Sequence, residues 1–373
     1  MEISYLKNKS ILIVSPEYWG KNFVTKHHYA TLLAKQNNKV FFLNPPDKKL
    51  GFVINDTDIN NLKSINYPGH IKGIRFFPGF IQSLLIRLDI FRLEKRFKTK
   101  FDIIWSFDNS VFFALKHKPK RITAISHIVD LDMNFNLEMA AKTADICLAV
   151  NDIIKNELIK YQTNTYKIPH GFNPFQDADE DSFKMPGNHP TKALCIGNYS
   201  SRYIDWDIIK DAIENCQDVD FVFVGPEGDS NLGTSTHFPA KEKIKKYSNV
   251  HFLGAMPYNK LSNATKKADL TFFTFKEEFH KDRTSAHKIL EFLGAGKIVV
   301  ATFTAEYKNN PELVLMSNKN KEFAPLIRSV IDNLAVHNQP EMIKTRIDFA
   351  NSNSYPNQLK KIDTILKDHS ERK

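Results

Sequence analysis

Short apolar runs rich in β-branched residues alternate along the chain with segments whose apolar positions recur at helical spacing. In the first half, the runs that predict strands cover residues 11–15, 39–44, 74–78, 102–107, 122–127, 146–150 and 166–169. Helical spacing predicts helices over residues 24–36, 81–97 and 152–161. Runs that are apolar on both faces suit parallel strands buried under helices, so the pattern predicts a doubly wound α/β sheet.

A segment without apolar periodicity, residues 171–191, interrupts this alternation with turn formers and acidic side chains, as is typical of a linker. The alternation then restarts, and strands are predicted over residues 193–197, 221–225, 250–254, 270–275, 298–302 and 313–316. A terminal helix is predicted over residues 356–366. We therefore expect an α/β protein of two doubly wound, Rossmann-like domains, residues 1–175 and 190–350, which face each other across a cleft.

The composition is that of an ordinary globular protein, since 42% of the 373 residues are hydrophobic and 25% are charged. The 52 Lys and Arg exceed the 42 Asp and Glu, and a net charge of +10 favours anionic partners such as nucleic acid, phosphorylated molecules or an anionic membrane. Three scattered cysteines predict neither a disulfide framework nor a metal site.

No apolar run approaches the roughly 20 residues that span a bilayer, and no signal peptide is evident, so we expect a cytoplasmic protein.

Two predicted strand ends of the first domain carry candidate chemistry. The loop after residues 11–15 contains Gly20, where a backbone can approach a ligand closely, although no dinucleotide fingerprint or P-loop is present. The predicted strand over residues 122–127 ends in His127, with Asp130 and Asp132 just beyond it. An imidazole or a carboxylate there can accept a proton from an attacking hydroxyl, which makes His127 and Asp130 candidate catalytic residues. The alternative is that the aspartates cap the following helix.

The second domain places cations beside predicted helix starts. The loop after residues 193–197 delivers Arg202 just before a helix capped near Asp205, and a guanidinium beside free helix amides suits a diphosphate. After residues 270–275, a helix is expected to begin near Ser285 and to carry Lys288 and Glu291 on one face. There the cation can hold phosphate oxygens and the carboxylate can bind a ribose diol. A surface arginine and an exposed Lys–Glu pair, worth about 0.2–0.5 kcal/mol, are the structural alternatives.

Residues 288–300 resemble the donor-site helix of GT-B glycosyltransferases in the "group 1" superfamily, with the pattern Lys-x-x-Glu-aromatic-Leu-(Gly/Ala)-Ala-Gly-Lys-x-Val-Val. Residues 167–174 and 221–226 resemble other segments of that family, in the same order. The resemblance implies a glycosyltransferase without metal or cofactor, which moves a sugar from a nucleotide-sugar donor to a hydroxyl of a glycan or lipid-linked saccharide in cell-surface polysaccharide synthesis. Residues 351–373 resemble the helix that crosses back to the first domain in this fold.

The resemblance also implies roles for single residues. Glu291 would bind the donor ribose, while Arg202 and Lys288 would bind the diphosphate. Gly254 and Met256 would lie beside the nucleobase.

One position departs from the pattern of many members, because Arg283 stands where they have a second Glu, eight residues before Glu291. The pattern here is similar to the branch that handles polysaccharide and teichuronic-acid building blocks. Ser285 and Gly20 complete the expected donor-binding residues, and Asp130 would be the acceptor-side base. Arg283 could pair with a sugar carboxylate or with the diphosphate, and a retaining and an inverting outcome both stay open.

A basic amphipathic segment over residues 76–100 can lie in a membrane interface, its cations meeting anionic lipid, at the inner face of the membrane. The alternative is an ordinary helix packed on the first domain. A sugar-nucleotide 2-epimerase of the same fold is a second hypothesis for the function. A nucleic-acid-binding protein is a third, but basic residues are spread over both halves without a recognisable module, so no nucleic-acid partner is expected.

Overall fold

The chain divides into two compact units, one formed by the residues up to Gly171 together with those from Tyr355 onward, the other by Phe172–Ser354. The computed structural model describes residues 3–20, 23–69, 71, 73–108, 115–129, 137–174, 183–227, 238–279 and 288–372. In these residues the strands are β1 Ser10–Val14, β2 Lys39–Leu43, β3 Val53–Asp56, β4 Leu62–Asn66, β5 Ile103–Ser106, β6 Thr123–Ile128, β7 Ile146–Ala149, β8 Thr165–Lys167, β9 Thr191–Ile196, β10 Val219–Val224, β11 Val250–Phe252, β12 Leu270–Phe273, β13 Ile298–Thr302 and β14 Val314–Ser317. The α-helices of the same residues are α1 Thr25–Ala34, α2 Gly79–Phe97, α3 Leu137–Thr143, α4 Asp152–Leu158, α5 Trp206–Asn215, α6 Pro239–Ile244, α7 Tyr258–Lys267, α8 Lys288–Gly294, α9 Phe323–Asp332, α10 Leu334–His337, α11 Pro340–Ser352 and α12 Tyr355–Glu371.

The first unit is built on a sheet whose described strands follow the order β3-β4-β2-β1-β5-β6-β7-β8. These strands pair in parallel, except that β3 joins the edge antiparallel to β4. Successive residues of β1 point to opposite faces. Leu12 packs in a cluster with Ile90 of α2, while Ile13 packs in another with Leu33 of α1 and Leu359 of α12. The sheet is therefore covered on both faces, as its apolar strands require.

The edge of this sheet differs from the sequence prediction. The strand predicted over residues 74–78 is wrong, because Ile74–Phe76 form a 3-10 turn. Gly73 enters that turn with φ 81°, and the run is only partly buried, since Ile74 is 4% exposed whereas Phe76 is 77% exposed. The strands β3 and β4 were not predicted, because β3 is exposed along its length and β4 contains the exposed Lys63. Neither carries the continuous apolar run by which buried strands are found.

The helix α12 is part of the first unit and is longer than the predicted 356–366. The carboxylate of Asp363 accepts hydrogen bonds from the backbone N–H groups of Ser4, Tyr5 and Leu6, at 2.9, 2.9 and 2.6 Å. Leu6 and Leu359 are buried in the same apolar cluster. This contact joins the first residues of the described chain to its last helix.

The second unit is built on a sheet whose described strands follow the order β11-β10-β9-β12-β13-β14, all paired in parallel. The direction of winding reverses between β9 and β12. In open sheets of this kind, ligands bind at the carboxyl ends of the two strands that flank such a reversal. The first sheet has its own reversal between β1 and β5.

Candidate functional site

The segments that follow β9 and β12 carry the polar residues predicted to bind a diphosphate. Arg202 lies in the turn after β9, and Lys288 and Glu291 lie on α8, which the chain reaches after β12. Burial raises the pKa of the thiol of Cys195, near the end of β9, to about 12, while the positive charge of Lys288 acts on it in the opposite direction. The fold therefore brings the beginning of α8 close to the carboxyl end of β9.

The turn that holds Arg202 is fastened to the segment after β12. The backbone N–H of Lys276 donates to the carbonyl of Tyr203 at 2.9 Å, and the hydroxyl of Thr274 donates to the carbonyl of Asp205 at 3.2 Å. Asp205 caps α5, accepting from the N–H of Ile208 at 3.4 Å. The guanidinium of Arg202 is exposed and lies 5.3 Å from the centre of the Tyr203 ring. The hydrogen bonds of the turn therefore fix the backbone that carries this cation.

Asn320 joins the same two segments, although no sequence pattern marks it. Its side-chain amide donates to Asp205 Oδ2 at 2.5 Å and to the carbonyl of Phe275 at 2.9 Å. Its backbone N–H donates to Glu277 Oε1 at 2.7 Å. These partners lie 43 to 115 positions away along the chain, and only the folded sheet brings them together.

The helix α8 presents its carboxylate and its cation on one face. Lys288 Nζ lies 3.9 Å from Glu291 Oε2, and the two side chains are 32% and 20% exposed. Ile289 and Phe292 are buried beneath them. Among the described residues, the carboxylate of Glu291 has no other ion pair or hydrogen bond. Its carboxylate is therefore shielded by the protein yet available to accept hydrogen bonds from a diol.

Glycines bring the neighbouring strand ends together. The N–H of Gly225 donates to the carbonyl of Gly254 at 2.9 Å, and a Cβ on Gly225 would lie 1.7 Å from the carbonyl oxygen of Gly197. No larger residue fits there. Gly254, with φ 69°, has no atom within 4 Å of an added Cβ. Its open backbone and the half-buried Met256 beside it leave room for a planar group.

In the first unit, the loop after β1 is fixed at its base and open at Gly20. The N–H of Glu17 donates to Ser15 Oγ at 3.0 Å, and the N–H of Trp19 donates to Asn44 Oδ1 at 2.8 Å. No atom lies within 4 Å of a Cβ added to Gly20, which is exposed. The backbone at Gly20 is thus accessible to a ligand at the carboxyl edge of the first sheet.

His127 is fully buried within β6, whereas the sequence predicted an accessible base at a strand end. Its ring packs 4.8 Å from that of Phe107 and 6.0 Å from that of Trp105, and neither ring nitrogen has a hydrogen-bond partner among the described residues. Burial lowers the pKa of His127 to about 3, and the charges of His170 and Lys26 act in the same direction. The ring is therefore neutral near pH 7 and does not reach an acceptor hydroxyl in this conformation.

Asp130, Arg283 and Ser285 lie outside the described residues, as does Asp132. Within the described ranges, no group of three or more His, Cys, Asp or Glu side chains is placed to hold a metal ion.

The helix α2 and the turn before it expose an apolar face. Arg87, Arg92 and Lys95 are exposed on the same helix, whose opposite face buries Ile86 and Ile90. No helix in the described part of the chain combines the length and the apolar character needed to cross a membrane. The exposed apolar side chains are Phe76, Phe77, Phe80, Leu84, Leu88 and Phe91.

Comparison with known proteins identifies the fold. No sequence-family model and no curated protein matches the chain. The solved sucrose-phosphate synthase from Thermosynechococcus elongatus superposes with a TM-score of 0.72 and 11% identity, over 98% of this chain and 100% of that one. A glycosyltransferase from Rickettsia africae superposes with a TM-score of 0.69 and 16% identity, over 98% and 100%. HepE from Anabaena, in complex with UDP-glucose, superposes with a TM-score of 0.65 and 15% identity, over 98% and 99%. The predicted α/β fold class of two Rossmann-like domains is confirmed.

Proposed function

We propose that this chain, which has the GT-B fold, is a glycosyltransferase that moves a sugar from a nucleotide-sugar donor to a hydroxyl of a glycan or a lipid-linked saccharide in cell-surface polysaccharide synthesis. The proposal depends on the side chains that lie at the carboxyl edge of the second sheet. Arg202, Lys288 and Glu291 lie there, on the segments that follow the two strands at the reversal. The carboxylate of Glu291 beside Lys288 suits the ribose of a nucleotide sugar, and the cations Lys288 and Arg202, on the segments after the two neighbouring strands, suit its diphosphate.

Each of these residues has a proposed role. Glu291 accepts hydrogen bonds from the ribose hydroxyls, Lys288 and Arg202 bind the diphosphate, and Gly254 and Met256 contact the nucleobase. As the bond between the sugar and the diphosphate breaks, negative charge grows on the departing oxygen. The two cations stabilise that charge in the transition state, and the proposed mechanism uses no metal and no cofactor.

The residues outside the described ranges complete the proposal. Arg283 and Ser285 extend the donor site, where Arg283 pairs with a sugar carboxylate or with the diphosphate. Asp130 is the proposed base that takes the proton from the acceptor hydroxyl. His127 is buried within β6, so we assign it a structural role in the core of the first unit and no direct part in proton transfer. The open backbone at Gly20 serves ligand binding at the edge of the first sheet.

Uridine sugar nucleotides are the first donors to test. HepE was solved in complex with UDP-glucose, and a structural neighbour titled trehalose-6-phosphate from E. coli was solved with UDP-2-fluoro glucose.

A further part of the proposal is a peripheral contact with an anionic membrane, where the enzyme would bind a lipid-linked acceptor. The basic and apolar side chains that α2 exposes support this contact.

The first prediction concerns Glu291. In a thermal-shift screen of UDP, GDP, TDP and CMP sugars, we expect donors of one base to raise the unfolding temperature. Replacing Glu291 by Ala should weaken binding of that donor about 10- to 100-fold, because hydrogen bonds to a charged group contribute about 1.5–3 kcal/mol. The matched control Glu341→Ala removes an exposed carboxylate of the same unit and should leave the affinity unchanged.

Three outcomes contradict the proposal. If Glu291→Ala binds the donor with wild-type affinity, Glu291 does not bind the ribose. If no sugar nucleotide raises the unfolding temperature of the wild type, the proposed donor site is wrong. Release of an epimerised sugar without an acceptor identifies a 2-epimerase in place of a transferase.

A further inference from the structure

A groove within the first unit takes no part in the proposed binding of the nucleotide-sugar donor. Its volume is about 660 Å³, within the range of small-molecule sites. One wall is the C-terminal half of α2, and the other is the edge of the sheet, with Phe52, Tyr67 and Gly69. The groove meets the carboxyl edge of the sheet, because Leu43 ends β2 and Tyr67 directly follows β4.

The charges in the groove suit a phosphate. Among the described lining residues, Arg92, Lys95 and Arg96 are cationic, and Asp89 alone carries a carboxylate. Arg92 Nη1 approaches Asp89 Oδ1 at 3.4 Å, but the Arg92 side chain is 72% exposed and can be reached from solvent. The guanidinium of Arg96 lies 4.2 Å from the centre of the Phe52 ring. Stacking fixes the plane of the guanidinium and leaves its edge free to form the paired hydrogen bonds that phosphates accept.

The surface beside the groove suits hydrocarbon. Leu88 and Phe91 are neighbours of the groove residues along α2, and they are 38% and 59% exposed. Leu84 and Phe80, one and two turns before Leu88, are 60% and 75% exposed. A free phosphate or a nucleic acid would pair with the cations but would leave this apolar surface in water. A molecule that joins a phosphate to acyl chains covers both.

We propose that the groove binds the phosphate-bearing headgroup of an anionic membrane lipid, while Phe80, Leu84 and Phe91 enter the hydrocarbon boundary of the bilayer. The groove then makes the contact selective, because it recognises one headgroup as well as attracting a charged surface. This inference rests on the membrane contact within the proposed function and is separate from donor binding in the second unit.

Flotation of the full chain with phosphatidylcholine vesicles, with and without phosphatidylglycerol, tests the groove. Each basic residue near an anionic surface contributes about fivefold to binding, so Arg92→Gln/Arg96→Gln should lower binding to anionic vesicles more than about tenfold and leave neutral vesicles unaffected. Arg92→Lys/Arg96→Lys keeps both charges but loses the planar fork, and it should bind several-fold more weakly than wild type. The control Lys35→Gln/Lys120→Gln removes two exposed cations of the same unit that lie outside the groove and outside residues 76–100, and it should change binding less than about twofold.

Binding of the lysine variant at wild-type strength, or an equal loss in the control, would show plain electrostatic attraction and overturn the groove assignment. Protection against thermal unfolding by inorganic phosphate, without binding to anionic vesicles, would identify a free phosphate as the ligand and overturn the lipid. The unfolding temperature of each variant shows that it is folded. Wild-type protein that floats with anionic vesicles but shows no thermal shift with any sugar nucleotide would contradict the proposed donor site and leave the groove standing.

Discussion

At the scale of single residues, buried charges of this protein are held by several partners. Asp220, near the beginning of β10, is 1% exposed. Its carboxylate accepts from Lys192 Nζ at 2.5 Å, His251 Nε2 at 2.9 Å and the N–H of His189 at 2.8 Å. Burial by itself raises the pKa of this carboxyl group, but these donors outweigh burial and lower it. Because Asp220 lies at the amino end of its strand, away from the proposed donor site, its role is structural.

Replacing Asp220 by Asn should lower the free energy of unfolding by about 3–5 kcal/mol, because the largely buried Lys192 then loses its counter-charge. The folded-state pKa of Asp220 is depressed, so its stabilisation is present above the unfolded pKa of about 4 and is lost as the pH falls further. The difference between wild type and variant, measured by urea unfolding, should therefore shrink below about pH 4.

Asp218→Asn is the matched control, since it removes a carboxylate two positions earlier whose side chain is 67% exposed in its pair with Arg328. It should cost less than about 1 kcal/mol. Equal losses for the two variants would contradict the structural role of Asp220.

At the scale of secondary-structure elements, apolar runs predict most strands of both sheets, and they miss the β3–β4 hairpin at one edge of the first sheet. The hairpin of β3 and β4 adds strands whose side chains are partly in solvent, so their residues show no continuous apolar run. The helix α12 was predicted from its own periodicity, but Asp363 on its buried face has no local signal. Its partners, residues 4–6, lie more than 350 positions away.

Asp363→Ala should destabilise the protein by about 2–4 kcal/mol, because three backbone N–H groups lose their acceptor and Leu6 is buried. Hydrogen exchange should become faster at residues 4–6 and in α12. Asp368→Ala, on the exposed side of the same helix, should leave both unchanged. Unaltered hydrogen exchange at residues 4–6 in Asp363→Ala would show that this carboxylate does not hold the N-terminal segment on α12.

At the scale of the whole molecule, the first unit is discontinuous along the chain, whereas the second is a continuous stretch from Phe172 to Ser354. Leu359, Ile362 and Leu366 of α12 are fully or almost fully buried in the core of the first unit. Removing the helix would expose that core to water, so the last residues of the chain are needed for the stability of its beginning.

A chain that ends at Ser354 should therefore lose the cooperative unfolding of the first unit, while residues 172–354 alone should still unfold cooperatively. Differential scanning calorimetry of both proteins measures this. A chain that ends at Leu366 retains the buried part of α12 and is the control. A native-like first unit in the chain that ends at Ser354 would show that α12 is dispensable.

The alternation of apolar runs and helical periods was enough to predict the two sheets and the break between them, because burial on both faces of a parallel strand leaves a continuous local signature. The candidate donor residues after β9 and on α8 were also proposed from local pattern, since strand ends and helix starts are where anions bind. Contacts across the sheet left no such trace. Asn320 and Asp363 act on partners far away in sequence, and His127, predicted to be accessible, is covered by rings from other strands. Burial, partner identity and the groove beside α2 depend on which elements become neighbours, and only tertiary structure decides that.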